Sequence, residues 1–189
     1  GNNKFGFGVA DVSGKGIKSS LLMSKASSLY RCLSKTIFSA SALIKILNDE
    51  ICETTTRGMF VTMIVGVYDK NKNELLLSNA GHEPPLIFSK DGNFKTIDEA
   101  GPPLGIAPKF KFTEQTISFK ESSMYIFTDG ITEMKNNNGE MLGQEGFQDY
   151  IKKYQSTPNN KRLQKMIEDL IGSGRIQKDD LTIVTVDGK

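Results

Sequence analysis

The chain opens on a short alternation, with Phe5, Phe7 and Val9 separated by small or polar residues, which is the period-two signature of a half-buried strand running to Asp11. Gly14 and Gly16 break it. From Ile17 the apolar residues Leu21, Leu22, Leu29, Tyr30 and Leu33 fall mostly at helical spacing, and Leu43, Ile46, Leu47 and Ile51 repeat the pattern with Ser39 or Ser41 as N-cap. Two consecutive helices are predicted. The stretches "MFVTMIVGVYD", "NELLLSNAG", "PPLIFSK" and "NFKTID" then read as strands, with polar turns "DKNKN" and "KDGN" between members of the set, and together they predict a meander. After the Pro/Gly-rich "GPPLGIAP", "FTEQTISF" and "SSMYIFTDG" add two strands, the second with a continuous apolar centre and an end at Asp129. Helical spacing returns over 144–154 and 158–171, closed by Gly172 and Gly174, and "LTIVTV" supplies a last strand after Asp179 and Asp180. Helix pairs at each end of a strand-rich middle predict an α+β layered sandwich rather than an alternating parallel fold.

Composition narrows the classes. The 189 residues are 38% apolar and 24% charged, the profile of a globular domain, and 24 basic against 22 acidic side chains leave a net charge of +2. So small an excess gives no pull toward nucleic acid or an anionic membrane. No apolar run approaches the roughly 18 residues of a membrane span, and no signal pattern opens the chain, so a cytoplasmic setting is expected. Cys32 and Cys52 lack a metal-ligand or redox spacing and are expected to be buried, reduced thiols. Met59, Met63, Met124 and Met134 are expected in the core or at strand ends.

The candidate chemistry starts at "GVADVSGKGIKSS". A phosphate-cradling Gly-x-x-x-x-Gly-Lys-Ser/Thr loop does not fit, because Gly8 is one residue too far from Gly14 and Gly16 replaces the hydroxyl residue. The aspartates are more telling. Asp11 and Asp129 end strands, whereas Asp179 and Asp180 precede one; if the last strand runs antiparallel to the other two, all reach one rim. Carboxylates about 4 Å apart repel by a few kcal/mol per pair even at an effective dielectric near 20. Such a cluster calls for protons, basic partners or hard divalent cations such as Mg²⁺ or Mn²⁺. The alternative is that each Asp is a turn or cap residue. Lys15, with the start of the helix at Ile17, is a candidate contact for an anionic substrate or a solvated loop side chain. Arg57 is either a phosphate contact or a solvent-facing residue.

The ordered set "ADVSGKGIKSSLLM", "MFVTMIVGVYD", "NAGHEPPLI", "GPPLGI", "IFTDGITEMKN" and "DDLTIVTV" resembles the metal-dependent PPM serine/threonine protein phosphatases, in the bacterial branch that includes SpoIIE and RsbU. The resemblance spans the chain as one domain, 1–189. It implies a four-layer α-β-β-α sandwich of two antiparallel sheets flanked by helix pairs, with a binuclear Mn²⁺ or Mg²⁺ centre. It also implies a phosphoserine or phosphothreonine substrate on a regulatory protein, of the anti-sigma-factor antagonist type. Carried over by position, Asp11 matches the carboxylate that bridges both metals, the Val12 carbonyl a neighbouring ligand, and Asp129 and Asp179 ligands of the first metal, with Asp180 able to exchange roles with Asp179.

Two departures follow. The family's Gly-Asp-x-Tyr-Asp type segment upstream of Asp11 has no counterpart after Gly1, so the N-terminal strands are expected to be missing, the second metal site weakened and activity low. Where some relatives have His two residues after the bridging Asp, this chain has Ser13, and the sole histidine, His82, is expected to be a structural turn residue rather than an acid-base group. The resemblance further implies an output domain of a signalling protein, with an upstream sensor that could tether it to a membrane, and it is compatible with a dimer. Two other readings compete: a catalytically weak phosphatase-like module that binds a phosphoprotein, and a receiver-like phospho-acceptor, whose acidic pair would follow the first strand rather than precede the last.

Overall fold

Phe7 and Val9 bury the inward face of β1 (Lys4–Val12), which lies at the edge of a four-stranded sheet in the computed structural model. The structure describes residues 3–55, 58–98, 101–177 and 179–188. β2 (Val61–Asp69) and β3 (Glu74–Ala80) follow β1 across the sheet, and β6 (Gln115–Ser118) closes the order β1-β2-β3-β6, every neighbouring pair antiparallel. The near-continuous apolar run of β2 reflects its central position, with Val61 and residues 63–68 all buried. A strand covered on both faces loses its alternation.

Two helices accompany this sheet, α1 (Ile17–Leu33) and α2 (Ala40–Thr54). Ser39 caps α2, its hydroxyl accepting from the Ala42 N–H. Glu114 adds a second cap from far along the chain: its Oε2 accepts from the Ser39 hydroxyl and the Ser41 N–H, each at 3.0 Å. Leu43, Ile44, Leu47 and Ile51 then form the apolar stripe that packs with Leu22, Ala26, Val61, Met63 and Val65. The Pro/Gly-rich loop is strapped to this core. Leu104 exchanges two backbone hydrogen bonds with Val61, and buried Asn48 of α2 donates to the Ala107 carbonyl and accepts from the Gly105 N–H. A side-chain amide so paired can be buried without penalty.

The second sheet has the order β5-β4-β7-β8, from β4 (Leu86–Ser89), β5 (Phe94–Thr96), β7 (Ser122–Phe127) and β8 (Ile183–Asp187). The short α3 (Asp129–Thr132) and the helices α4 (Gly143–Lys153) and α5 (Asn159–Gly172) accompany it. Their core joins Leu86, Tyr125, Phe127, Ile131, Phe147, Ile151, Met166 and Leu170. The chain forms two compact units, Gly1–Pro84 with Ile97–Ser122 and Gly188–Lys189, and Pro85–Thr96 with Ser123–Asp187. The fold is α+β, with two antiparallel sheets and helix pairs at the predicted places.

Three expectations are corrected. The predicted meander is broken between β3 and β4: β3 pairs with β2 and β6, while β4 lies between β5 and β7. Alternation sets which face a residue occupies but not which strand it pairs with, and Pro84 and Pro85 remove two amide donors from the segment that would have had to be a hairpin. The strand before Asp129 stops at Phe127, so that Asp129 opens α3. Cys32 is exposed and Cys52 half-buried rather than both buried, because α1 buries only the narrow stripe of Ser19, Leu22 and Ala26 and the buried face of α2 runs through Leu43, Ile44, Leu47, Asn48 and Ile51. Both thiols are free, and Met63, Met124 and Met134 are in the core.

Candidate functional site

β1 delivers Asp11 to its end. There Asp11 faces Thr62 of β2 and is exposed, with Oδ1 accepting from the Val12 N–H at 2.8 Å. Val12 turns its side chain toward the core and pairs with Val61. The chain beyond is tied down through Ser13, whose N–H donates to the Phe60 carbonyl and whose hydroxyl accepts from the Phe60 N–H. The Ser19 hydroxyl donates back to the Ser13 carbonyl. Ser13 therefore fixes the turn that carries Asp11 into α1. Lys15 is exposed on that turn, one residue before Gly16, which precedes the first residue of α1.

In the second unit, β7 and β8 run antiparallel with Phe127 opposite Ile183. This pairing brings the segment before β8 against the residues that follow β7. Thr128 is buried, and its hydroxyl donates to the Asp180 carbonyl at 3.3 Å and accepts from the Thr182 N–H at 3.2 Å. Gly130 lies against the Asp180 carbonyl so closely that a Cβ would collide with it, a close approach only glycine permits. Asp129, between them, is exposed, as are Asp179 and Asp180. Asp179 repeats the local geometry of Asp11, its Oδ1 accepting from the following N–H, that of Asp180, at 2.9 Å. Its carbonyl accepts from the Gln177 side chain.

The structure thus brings the Asp129 turn and the Asp180 segment together in one unit, and Asp11 and Lys15 together in the other. Among the described residues, no three or more His, Cys, Asp or Glu side chains form a group able to hold a metal ion. The carboxylates and backbone carbonyls of these residues are hard oxygen donors, the kind that suits Mg²⁺ or Mn²⁺. His82 is 2% exposed in its turn, its backbone held at both N–H and carbonyl by the Asn79 side chain, and its Nδ1 lies 2.9 Å from the Thr62 hydroxyl. These contacts tie the turn to β2 and β3. Arg57 lies outside the described residues. Thr128 is not among the residues predicted from the sequence. The available signal was a hydroxyl residue closing a continuous apolar strand next to Asp-Gly, with a second Thr two residues after Asp180.

Known proteins share this architecture. Phosphoserine phosphatase RsbU of Bacillus subtilis is 28% identical over 181 residues, which cover 94% of this chain and 54% of RsbU, so the chain spans about half of that relative. The SiaA-PP2C domain of Pseudomonas aeruginosa superimposes with a TM-score of 0.83 at 15% identity, over 100% of this chain and 81% of that one. The catalytic domain of the serine/threonine protein phosphatase PstP, in complex with two manganese ions, does so with a TM-score of 0.70 at 14% identity, over 99% and 91%. At such identities the structural likeness shows the fold, which is that of PP2C domains. The family model of stage II sporulation protein E matches residues 1–189 from end to end, and the chain belongs to the SpoIIE family.

Proposed function

We propose that this chain is a metal-dependent phosphatase domain that removes phosphate from phosphoserine or phosphothreonine on a regulatory protein, of the kind that antagonises an anti-sigma factor. The observation that carries this reading is the family match over the whole chain. The name of RsbU, a phosphoserine phosphatase, supports the substrate class, and the manganese ions of PstP support the cofactor. Mn²⁺ or Mg²⁺ would be held by Asp11, the Val12 carbonyl, Asp129 and Asp179, with Asp180 as the alternative to Asp179. Such ions supply the charge that ionises a water near neutral pH and neutralises phosphoryl oxygens.

The chain's own residues set the geometry. The Val12 and Asp180 N–H groups each fix one oxygen of the preceding carboxylate, which limits the rotation of Asp11 and Asp179. Lys15 would meet the phosphate of the substrate from the turn after Asp11. The alternation of β1 and the antiparallel β7–β8 pair serve to present these groups at strand ends. A longer signalling protein with an upstream sensor belongs to the same proposal.

Release of inorganic phosphate from a phosphoserine-bearing antagonist protein, followed in single turnover, tests the reading. Release should require added Mn²⁺ or Mg²⁺, stop with a chelator, and fall at least about tenfold in Asp129→Asn, since even partners of metal ligands contribute that much. Release that persists with the chelator overturns the proposal. Capture of the phosphoprotein with no release assigns the chain to the binding-module alternative.

A further inference from the structure

Asp129 and Asp179 share a task in the proposed reaction, yet α4 and α5 separate them in the sequence. Their approach depends on what joins the end of β7 to the start of β8. The pairing extends one residue past the strands, where the Thr128 N–H donates to the Thr182 carbonyl at 3.2 Å. Beyond that point the Thr128 side chain takes over from the backbone. Its hydroxyl spends its proton on the Asp180 carbonyl and a lone pair on the Thr182 N–H, so one oxygen bridges two residues on either side of Leu181. Thr128 is 8% exposed, and water does not readily replace bonds lost at such a site. Gly130 provides the matching recess, receiving the same Asp180 carbonyl.

We propose that Thr128 is a positioning residue: its hydroxyl, with the recess at Gly130, sets the spacing between Asp129 and the Asp179–Asp180 segment and thereby the affinity for the divalent ion. The proposal rests on the metal-site reading above, but the clamp itself acts in the metal-free protein. Valine keeps the branched shape of Thr128 and loses both side-chain bonds. Serine keeps both bonds and loses only a methyl.

The test uses the whole chain and Mn²⁺ alone, with binding measured by calorimetry and amide hydrogen exchange recorded on the metal-free protein. Thr128→Val should weaken Mn²⁺ binding about tenfold or more, the usual cost of removing a partner that orients a metal ligand, and should speed exchange at the Thr182 amide. Thr128→Ser should restore affinity to within about threefold and exchange to near the parent rate, which a merely space-filling role would not produce. Gly130→Ala keeps the hydroxyl but must displace the Asp180 carbonyl, and should also weaken Mn²⁺ binding; it serves as the second variant if Thr128→Val does not fold. Asp129→Asn separates the two readings. If Asp129→Asn loses Mn²⁺ while Thr128→Val and Gly130→Ala retain parent affinity, the clamp is refuted and the metal site stands. Equal losses in the Val and Ser variants refute the role of the hydroxyl. Parent-like Mn²⁺ binding by Asp129→Asn overturns the metal-site reading and the proposal with it.

Discussion

The tip of the Phe7 ring lies against Gly66, its partner across β1 and β2, where an added Cβ would come within 2.1 Å of the ring carbon Cζ. Gly66→Ala should therefore lower stability by about 1–3 kcal/mol, the range for overfilling a packed site, as read by urea denaturation. Gly6→Ala is the control: its Cβ would meet only the Gly66 carbonyl at 4.0 Å, and a change under about 0.5 kcal/mol is expected. Tyr125 offers a prediction in pH. Burial pushes its hydroxyl up to about 12, the nearby Asp187 carboxylate adds to the rise and the Arg162 guanidinium opposes it. The unfolded phenol ionises first, near pH 10, so stability should fall as pH rises from about 10 toward 12. Tyr125→Phe should lack that part of the fall. Because the Tyr125 hydroxyl has no hydrogen-bond partner among the described residues, the variant should be at least as stable as the parent at neutral pH. Denaturation at a series of pH values measures both effects.

Among the elements, α5 is fastened to β8 by one ion pair. Arg162 is 5% exposed, donates to Asp187 and lies over the Tyr125 ring with its guanidinium 5.5 Å from the centroid. The Ser123 hydroxyl donates to the same carboxylate oxygen. Arg162→Ala would leave Asp187 half-buried without its cation, and should cost about 2–4 kcal/mol, somewhat below the value for breaking a fully buried pair. At α2, Ser39→Ala should cost about 1 kcal/mol as a lost N-cap, with the loss visible in thermal unfolding. The cap was legible to within two residues, as Ser39 or Ser41 ahead of an apolar stripe at helical spacing, and the structure selects Ser39. Also legible were the end of the first strand near Asp11 and the start of the last one after Asp180, since period and turn residues are local signals. Arg162 was not legible: nothing in its neighbourhood of Asn159, Asn160 and Lys161 distinguishes a buried guanidinium from a solvated one. The exchange of partners after β3 escaped for a similar reason, as pairing is decided by residues distant in sequence. Thr128 bonds to the backbone of residues more than fifty positions away, so its place after an apolar strand and before Asp-Gly marks the residue but not its partners.

At the scale of the whole molecule, metal binding should appear as stability. An ion that binds only the folded chain adds about 2.7 kcal/mol at a hundredfold excess over its dissociation constant. Mn²⁺ should thus raise the melting temperature in a concentration-dependent way, and Asp129→Asn should abolish most of the rise; an unchanged rise would locate the ion elsewhere. The net charge of +2 predicts little further dependence on monovalent salt. The route of the chain between its units bears on biosynthesis. Residues 85–96 belong with 123–187, whereas 97–122 return to the first unit. On the ribosome, β4 emerges with Leu86, Ile87 and Phe88 well before β7 exists to cover them, a delay of about 2–7 s at roughly 5–20 residues per second. During that interval a nascent hairpin presents an uncovered greasy edge to its surroundings, so slower translation through 97–122 should favour co-translational aggregation over correct assembly.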